Sequence, residues 1–244
     1  GLARAFTAAR TADARTRHRR GAAHQRARAM RAAAALGRLV GLVLLARGTF
    51  GAFDLTRGDD LVVKGSGTSH VSVAHFNEEV GVVCYVDWAG GGRGTCNLLV
   101  LGNASLRAGQ DLVVTENEAL YIATAHFSNS SVVMCYVDTG NEGRGTCTTL
   151  LLSGGALEKG EDLLVSETST GLIFISVGQV DEDTGVMCYS DTGSSIFGAC
   201  TCSALFLSGT DLTKSDELVV NNAFASYISL TRHSDSSVIA CYSD

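Results

Sequence analysis

Residues 84–96 read CYVDWAGGGRGTC, and residues 135–147 read CYVDTGNEGRGTC. The opening of this phrase returns as CYSD at residues 188–191 and 241–244, so its first cysteine recurs at steps of 51, 53 and 53 residues. A repeat of about fifty residues made of short apolar runs indicates identical supersecondary units, which must stack to bury their faces. The sequence therefore predicts an array of repeats.

Each unit contains four short runs that are rich in Val, Ile, Tyr and Thr and are bounded by Gly, Asn, Asp or Ser. These are the signals of strands and turns, and no segment after residue 51 has a helical period. We therefore expect an all-β fold. Four strands in about fifty residues is the size of a β-propeller blade. A β-trefoil is the alternative, although it repeats its unit three times only, and a fourth partial copy follows Ser208.

Over residues 51–244 the chain resembles β-propeller repeats of the type with one VxCYxD…GxxC hairpin per blade. The resemblance implies four-stranded antiparallel blades, about 3.7 of them, in an open and incomplete ring. The repeat stops at Asp244, where the other copies continue to a third strand, so we expect a chain truncated at its C-terminus. Missing blades or a second chain are then needed to cover the exposed edges. The WD, kelch and Asp-box signatures are absent from the sequence, so no family-level function follows.

The first fifty residues differ from the rest in charge. They hold 11 of the 19 basic residues and one acid, whereas residues 51–244 hold 8 basic and 24 acidic residues. We expect residues 1–50 to be a leader, with a secretory signal peptide from Met30 or a plastid-type leader as the alternatives, followed by the repeat domain at 51–244. The apolar stretch is too short to span a bilayer. The acidic repeats disfavour nucleic acid and anionic membranes as partners.

A second cysteine follows the first by twelve residues in the first three units. If the two strands pair with the cysteines opposite each other, an antiparallel hairpin brings them within disulfide reach. The predicted disulfides are Cys84–Cys96, Cys135–Cys147 and Cys188–Cys200. In the third unit Cys202 is an alternative partner of Cys188, and buried free cysteines are the alternative to disulfides altogether.

The aspartates that end the second strand of each unit are candidate ligand-binding residues. Asp87, Asp138 and Asp191 could form a set of carboxylates on one face, or they could simply initiate turns. The register predicted for the hairpins places the first two opposite an arginine, and the third opposite Phe197. Trp88, in the glycine-rich loop of the first hairpin, is a candidate platform for stacking a sugar ring.

A second candidate set ends the predicted inner strands, which would line the channel of a propeller. It lies nine residues before each repeat cysteine and consists of His75, His126, Gln179 and Arg232. The spacing of these residues predicts no metal site, and no cofactor motif is present in the sequence.

Two sequons, at Asn103 and Asn129, fall in predicted loops and could carry glycans. Together with the cysteines and the leader they favour an extracellular protein. The function that we expect is a secreted binding module that recognises glycan or protein through its blade loops, without catalysis. The alternatives are a propeller hydrolase with catalytic residues outside this segment and a purely structural array.

Overall fold

The computed structural model describes residues 39–49, 52–102, 105–166, 172–192 and 198–243, with side chains from Asp59 onward. These residues form sixteen β-strands and one short 3-10 helix, Thr139–Asn141. The first eight strands are β1 (Leu39–Thr49), β2 (Ala52–Lys64), β3 (Thr68–His75), β4 (Val80–Asp87), β5 (Arg93–Gly102), β6 (Ser105–Ser128), β7 (Ser131–Asp138) and β8 (Arg144–Ser153). The other eight are β9 (Ala156–Leu164), β10 (Leu172–Gln179), β11 (Thr184–Asp191), β12 (Ala199–Ser208), β13 (Asp211–Lys214), β14 (Leu218–Phe224), β15 (Ser226–Ser234) and β16 (Ser237–Ser243).

The strands form three complete antiparallel blades. Blade 1 is β3, β4, β5 and the first half of β6, and blade 2 is the second half of β6 followed by β7, β8 and β9. Blade 3 is β10, β11 and β12, with an outer strand that is interrupted and so appears as β13 and β14, both paired with β12. Chain order equals sheet order in each blade, which confirms the predicted all-β, propeller-like array of four-stranded units.

A two-stranded hairpin lies at each end of the described array. The hairpin β1–β2 precedes blade 1, and the hairpin β15–β16 follows blade 3, each forming a sheet of its own. β1 falls within the segment predicted as a leader, and its pairing with β2 does not bear on targeting. The leader and the domain boundary at residue 51 therefore stay predictions.

The inner strands carry the same irregularity in every unit. The pairing of the first and second strands shifts register between Ser69 and Ser72 in blade 1 and between Leu120 and Ala123 in blade 2. The equivalent shifts fall between Ile173 and Ser176 in blade 3 and at Ser226/Ser229 in the last hairpin. Such bulges turn one side chain away from the regular alternation of a strand. Each inner strand therefore has one residue, within the shifted segment, that departs from the regular alternation.

The core lies between successive blades, as stacking of units requires. The inner strand of blade 2 packs on the second strand of blade 1, where Ile122 joins Val82, Cys84 and Val86 in one buried cluster. The corresponding cluster between blades 2 and 3 contains Ile175. At the first hairpin, Leu61 and Val63 pack on Val83, Tyr85 and Leu99 of blade 1. Each unit is therefore covered by its neighbour.

Candidate functional site

The two candidate sets of polar residues lie at opposite ends of the blades. Thr68, at the start of β3, pairs with Asp87, whereas His75, at its end, pairs with Gly81. We call the end that carries Asp87, the β4–β5 and β7–β8 loops and the beginnings of the inner strands the loop face. We call the end that carries His75 and the turn after the inner strand the turn face.

The aspartates of the loop face shape the loops that follow them. Asp87 Oδ1 accepts a hydrogen bond from Gly90 N at 3.0 Å, and Asp138 Oδ1 accepts one from Gly140 N at 2.9 Å. These are Asx-type turns, in which a carboxylate satisfies a backbone amide two or three residues on. Asp191 is buried, as Asp87 is, and its backbone carbonyl oxygen accepts a hydrogen bond from Gly198 N. All three residues therefore lie where the loops begin.

The arginines that face two of these aspartates in the register form ion pairs with other residues. Asp87 and Asp138 do face Arg93 and Arg144 in the register, but Arg93 pairs with Glu116 and Arg144 with Glu142. The second carboxylate oxygen of each aspartate has another partner: Asp87 pairs with Lys64, and Asp138 accepts a hydrogen bond from Asn117 Nδ2 at 3.4 Å. The residue opposite Asp191 is Ala199 rather than Phe197, because the third loop is two residues longer.

Lys64 ties the first hairpin to the loop face of blade 1. Its Nζ lies 2.9 Å from Asp87 Oδ2 and 3.9 Å from Asp111 Oδ2. The hydrogen bond to Asp87 raises the pKa of Lys64 above its ordinary value of 10.5. Asp111 in turn accepts hydrogen bonds from Asn97 Nδ2 at 2.6 Å and from the hydroxyl of Tyr85 at 3.3 Å. The carboxylate of Asp87 is thus neutralised by a lysine from the preceding unit.

Trp88 folds onto the loop face rather than projecting from it. Its Nε1 donates to Ser69 Oγ at 2.8 Å, its backbone N–H donates to Gly67 O, and its half-buried ring packs on the apolar cluster between blades 1 and 2. The indole is therefore a fixed wall of the loop face beside the inner strand. Ser69 directly precedes the residue that the bulge presents.

That residue is His70, and it begins a chain of aromatic rings along the inner strands. Tyr121, Phe174 and Tyr227 hold the same position in the next three units. The ring centroids are 5.0 Å apart for His70 and Tyr121, 5.6 Å for Tyr121 and Phe174, and 5.0 Å for Phe174 and Tyr227, with the rings tilted by 58°, 56° and 45°. We call these four residues the aromatic ladder. Burial lowers the pKa of His70 and so favours its neutral imidazole.

The backbone of the ladder is strained in all four units. The φ angles are 49° for His70, 51° for Tyr121, 55° for Phe174 and 52° for Tyr227, and Glu142 is the only other non-glycine residue with positive φ in the described part of the chain. A bulky residue in this left-handed region costs about 1–2 kcal/mol. Strain of this kind persists where the surrounding structure over-determines it, and it clusters at functional sites.

The sequence contains a signal for the ladder, although no chemical motif marks it. Its members recur at the repeat steps of 51, 53 and 53 residues, like the cysteines. Their types are His, Tyr, Phe and Tyr, so no single letter repeats. Aligning the units and comparing ring character at each position would have revealed them.

The second candidate set lies on the turn face, and only two of its members meet directly. The rings of His75 and His126 are stacked, with centroids 4.4 Å apart and planes within 6°. His126 Nδ1 lies 2.9 Å from the carbonyl oxygen of His75, and because a carbonyl only accepts, this nitrogen carries a proton. Burial and the charge of His126 lower the pKa of His75.

Gln179 and Arg232 use their side chains elsewhere on the turn face. Gln179 Nε2 donates to the carbonyl oxygen of Phe127 at 2.8 Å, and Arg232 forms an ion pair with Asp235 in its own hairpin turn. The four residues therefore serve as ties between neighbouring inner strands or within a turn. In the part of the chain that is described, no group of three or more His, Cys, Asp or Glu residues is placed to hold a metal ion.

Three disulfides hold the second and third strands of the blades together. Cys84–Cys96 and Cys135–Cys147 are present as predicted, each between directly opposed residues. Cys188 bonds Cys202, not Cys200, which remains a buried free thiol.

The longer third loop causes this change, because it moves the register by two residues and sets Cys188 opposite Cys202. Cys200 lies opposite Ser190, so it is the diagonal neighbour of Cys188. Diagonal Cα atoms are roughly 7–8 Å apart, beyond the usual disulfide range. The phrase GTC of the first two units is CTC here, which marks Cys202 as the equivalent residue.

Two further features concern the surface. Asn129 is exposed in the turn between β6 and β7, and Asn103 lies outside the described residues. Among the residues that the structure describes, none belongs to a helix of the length and apolar character that crossing a bilayer requires.

Comparison with solved structures supports the fold. A mutant of NanB sialidase from Streptococcus pneumoniae matches with a TM-score of 0.53 and 10% sequence identity, over 78% of this chain and 30% of that chain. AofleA from Arthrobotrys oligospora, alone and as a triple mutant, matches with a TM-score of 0.38 and 13% identity, over 81% of this chain and 71% of that chain. No protein-family model matches the chain, and no curated protein does. At 10% identity, the likeness to the sialidase shows the propeller-type fold alone.

Proposed function

We propose that this protein is a secreted carbohydrate-binding module and that its loop face binds an oligosaccharide along the aromatic ladder. The observation that carries the proposal is the ladder itself. Four aromatic residues stand at one position of four successive units, each held in a left-handed backbone conformation and each in ring contact with the next.

The chemistry of the rings suits a sugar. The face of an aromatic ring carries partial negative charge, which attracts the weakly positive C–H groups that cover one face of a pyranose. Tyr121 and Phe174 are half-buried, and Tyr227 is 77% exposed, so their rings remain accessible at the surface. A row of large rings that stays open to solvent marks a surface for binding.

The periodicity of the rings suits a ligand that itself repeats. Their centroid spacings of 5.0 to 5.6 Å are of the same order as one sugar unit. The comparison with a sialidase adds a fold-level analogy only, since it assigns no residue of this chain.

The polar groups of the loop face support binding better than hydrolysis. Asp87 is bonded to Lys64 and to a turn amide, so its carboxylate is already neutralised and satisfied. A general acid would instead need a carboxyl group whose pKa is raised by its surroundings. We therefore assign to Asp87, Asp138 and Asp191 the positioning of the loops, and to Trp88 a fixed position on the loop face against Ser69 of the inner strand.

The three disulfides support a location of the protein outside the reducing cytosol. Disulfides persist in oxidising compartments and are rare in cytosolic proteins. Asn129 is exposed, as a glycan acceptor requires. Secretion, with or without the leader predicted from Met30, is part of this proposal.

The test is a glycan array followed by calorimetric titration of the best oligosaccharide. Tyr121→Gly and Phe174→Gly remove one ring each and preserve the backbone, because glycine adopts positive φ without strain. Each should weaken binding by about tenfold, which corresponds to ~1.4 kcal/mol.

The matched control is His126→Ala on the turn face, which should bind like the wild type. Two results would refute the proposal: an array without any hit while a protein ligand is captured, or loss of sugar binding in the control with the ring variants unaffected.

A further inference from the structure

The charge around the aromatic ladder restricts the class of sugar that the loop face can bind. Residues 51–244 hold 24 acidic and only 8 basic residues. A protein with such an excess of acids repels anionic ligands and raises the local concentration of cationic ones. Whether this field acts on a ligand of the ladder depends on where the few basic side chains lie.

The lysines and arginines at the loop face are bound by carboxylates. In the part of the chain that is described, each of them has an acidic partner within 3.2 Å: Lys64 pairs with Asp87, Arg93 with Glu116 and Arg144 with Glu142. Residues 167–171 and 193–197, which adjoin the beginning of β10 and the end of β11, contain no Lys, Arg or His in the sequence. The carboxylate or sulfate group of an acidic sugar would therefore compete with a protein carboxylate for every cation that it meets there.

The other basic residues lie away from the ladder. They belong to β2, to the outer strands of the blades and to the turn face, and they are Arg57, Arg107, Lys159, Lys214 and Arg232. The excess of acids is thus not offset by a local group of bases at the rings.

A carboxylate recurs beside the ladder residue of each complete blade. In blade 2, Asp138 pairs with Ala119, which is two residues before Tyr121. The equivalent pairs in blades 1 and 3 are Asp87 with Thr68 and Asp191 with Leu172. One strand spacing and two residues of rise separate the Cα atoms of the aspartate and the ladder residue by roughly 8 Å. A sugar unit that touches the ring can therefore direct a substituent at the carboxylate.

Asp138 keeps its negative charge in this arrangement. Within the described residues, its Oδ1 accepts a hydrogen bond from Gly140 N at 2.9 Å and its Oδ2 accepts one from Asn117 Nδ2 at 3.4 Å. Neither donor is charged, whereas Asp87 is neutralised by Lys64. A carboxylate has about four acceptor positions, so Asp138 can accept a further donor without losing its turn.

Taking the binding of an oligosaccharide along the ladder as given, we propose that the loop face selects an oligosaccharide of unacetylated hexosamine, whose protonated amino groups lie against the ring of Tyr121 and the carboxylate of Asp138. The face of an aromatic ring attracts an ammonium group, and a carboxylate forms a charge-assisted hydrogen bond with it. N-acetylation removes the charge of the sugar, and a sugar acid reverses it. The same rings therefore distinguish three classes of oligosaccharide by charge.

The test is calorimetric titration of the full chain at about pH 6 with three hexamers, of glucosamine, of N-acetylglucosamine and of galacturonic acid. An ammonium group over an exposed ring contributes about two- to fivefold in affinity, and a hexamer makes more than one such contact. The glucosamine hexamer should therefore bind about tenfold more tightly than its N-acetylated form, and the galacturonic acid hexamer should not bind. Raising the salt from about 0.05 M to about 0.5 M should remove most of the preference, because it shortens the range of electrostatic attraction.

Asp138→Asn tests the residue that the inference names. Asparagine can still accept the hydrogen bond of Gly140 N and initiate the turn, so the substitution removes the charge and keeps the loop. The preference for the glucosamine hexamer over the N-acetylated one should fall about threefold. The matched control is Asp183→Asn, which removes the same charge from an exposed residue on the turn face and should keep the preference of the wild type.

The outcomes separate this inference from the proposed function. The inference is overturned if the N-acetylated hexamer binds as tightly as the glucosamine hexamer, if the galacturonic acid hexamer binds, or if the two aspartate variants lose the preference equally. Each of these results, like binding of another oligosaccharide but not of the glucosamine hexamer, leaves sugar binding by the ladder in place. If neither a hexamer nor any oligosaccharide of the glycan array binds, the proposed function fails and the inference fails with it.

Discussion

Replacing Cys202 by alanine should destabilise blade 3 far more than replacing Cys200. The bond between Cys188 and Cys202 closes a segment with a sequence separation of 14 residues. In the chain-entropy model, a loop of this length contributes about 3 kcal/mol to the free energy of unfolding. Cys200 is a fully buried free thiol, so Cys200→Ala removes one sulfur atom from the core and should cost about 1 kcal/mol.

Two measurements separate the variants. Urea denaturation should give the highest midpoint for the wild type, a lower one for Cys200→Ala and the lowest for Cys202→Ala. The slopes of the three transitions report the surface exposed on unfolding. Thiol titration in guanidinium should find the two free cysteines of the wild type, Cys200 and Cys241. In Cys202→Ala, Cys188 should join them as a third free thiol.

The reasoning fails if Cys202→Ala unfolds at the same urea concentration as Cys200→Ala. It also fails if Cys202→Ala contains only one free thiol, because Cys188 would then have bonded Cys200. That bond would require the two strands to slide by two residues, contrary to the register in which Cys188 opposes Cys202.

Three other variants probe the loop face and the turn face. Tyr121→Gly should be more stable to urea than Tyr121→Ala by about 1 kcal/mol, because only alanine keeps the strain of a positive φ; equal stabilities would contradict the left-handed conformation. Lys64→Met should lower the melting temperature at pH 7 and reduce the loss of stability that the wild type shows above pH 10.5, where the raised pKa of Lys64 makes its pairing with Asp87 titrate. Part of that loss should remain, because burial also raises the pKa of Tyr85, Tyr136 and Tyr189. A variant that loses as much stability in this range as the wild type would argue against the pair. The NMR titration of His75 should give a pKa below 6.5, and this pKa should rise in His126→Ala. The stability of the wild type should fall as the pH drops below 6.5, because a lowered pKa means that the folded state favours the neutral imidazole. A pKa of His75 that does not respond to the variant would contradict the stacked pair.

The sequence was sufficient to predict the blades, because the features that define them are local. Strand runs, turn residues and the twelve-residue spacing of the cysteines all lie within one unit. The structure follows the predicted register in the first two blades, in which Asp87 faces Arg93 and Asp138 faces Arg144. The predicted partner of Cys188 was wrong because two extra loop residues change the register downstream of Asp191. The length of a loop shifts every later pairing, whereas the spacing of two cysteines alone does not reveal the shift.

The aromatic ladder could not be predicted from strand alternation. A regular strand would place His70 on the face opposite its neighbours, and the bulge that changes this depends on the pairing with β4. The ion pairs of the loop face were also missed, since Lys64 reaches Asp87 from the preceding unit while the sequence offered Arg93 close by. Contacts between units depend on how the units stack, and the sequence pattern within one unit does not carry this information.

The continuity of β6 has a consequence for cooperativity. This strand of 24 residues is the outer strand of blade 1 and then the inner strand of blade 2, so β3 to β9 form one seven-stranded hydrogen-bonded path. In arrays that fold by nearest-neighbour coupling, such a shared element raises the coupling between its two units. Blades 1 and 2 should therefore open to hydrogen exchange as one foldon, while blade 3, whose strands form a separate sheet, opens at lower free energy.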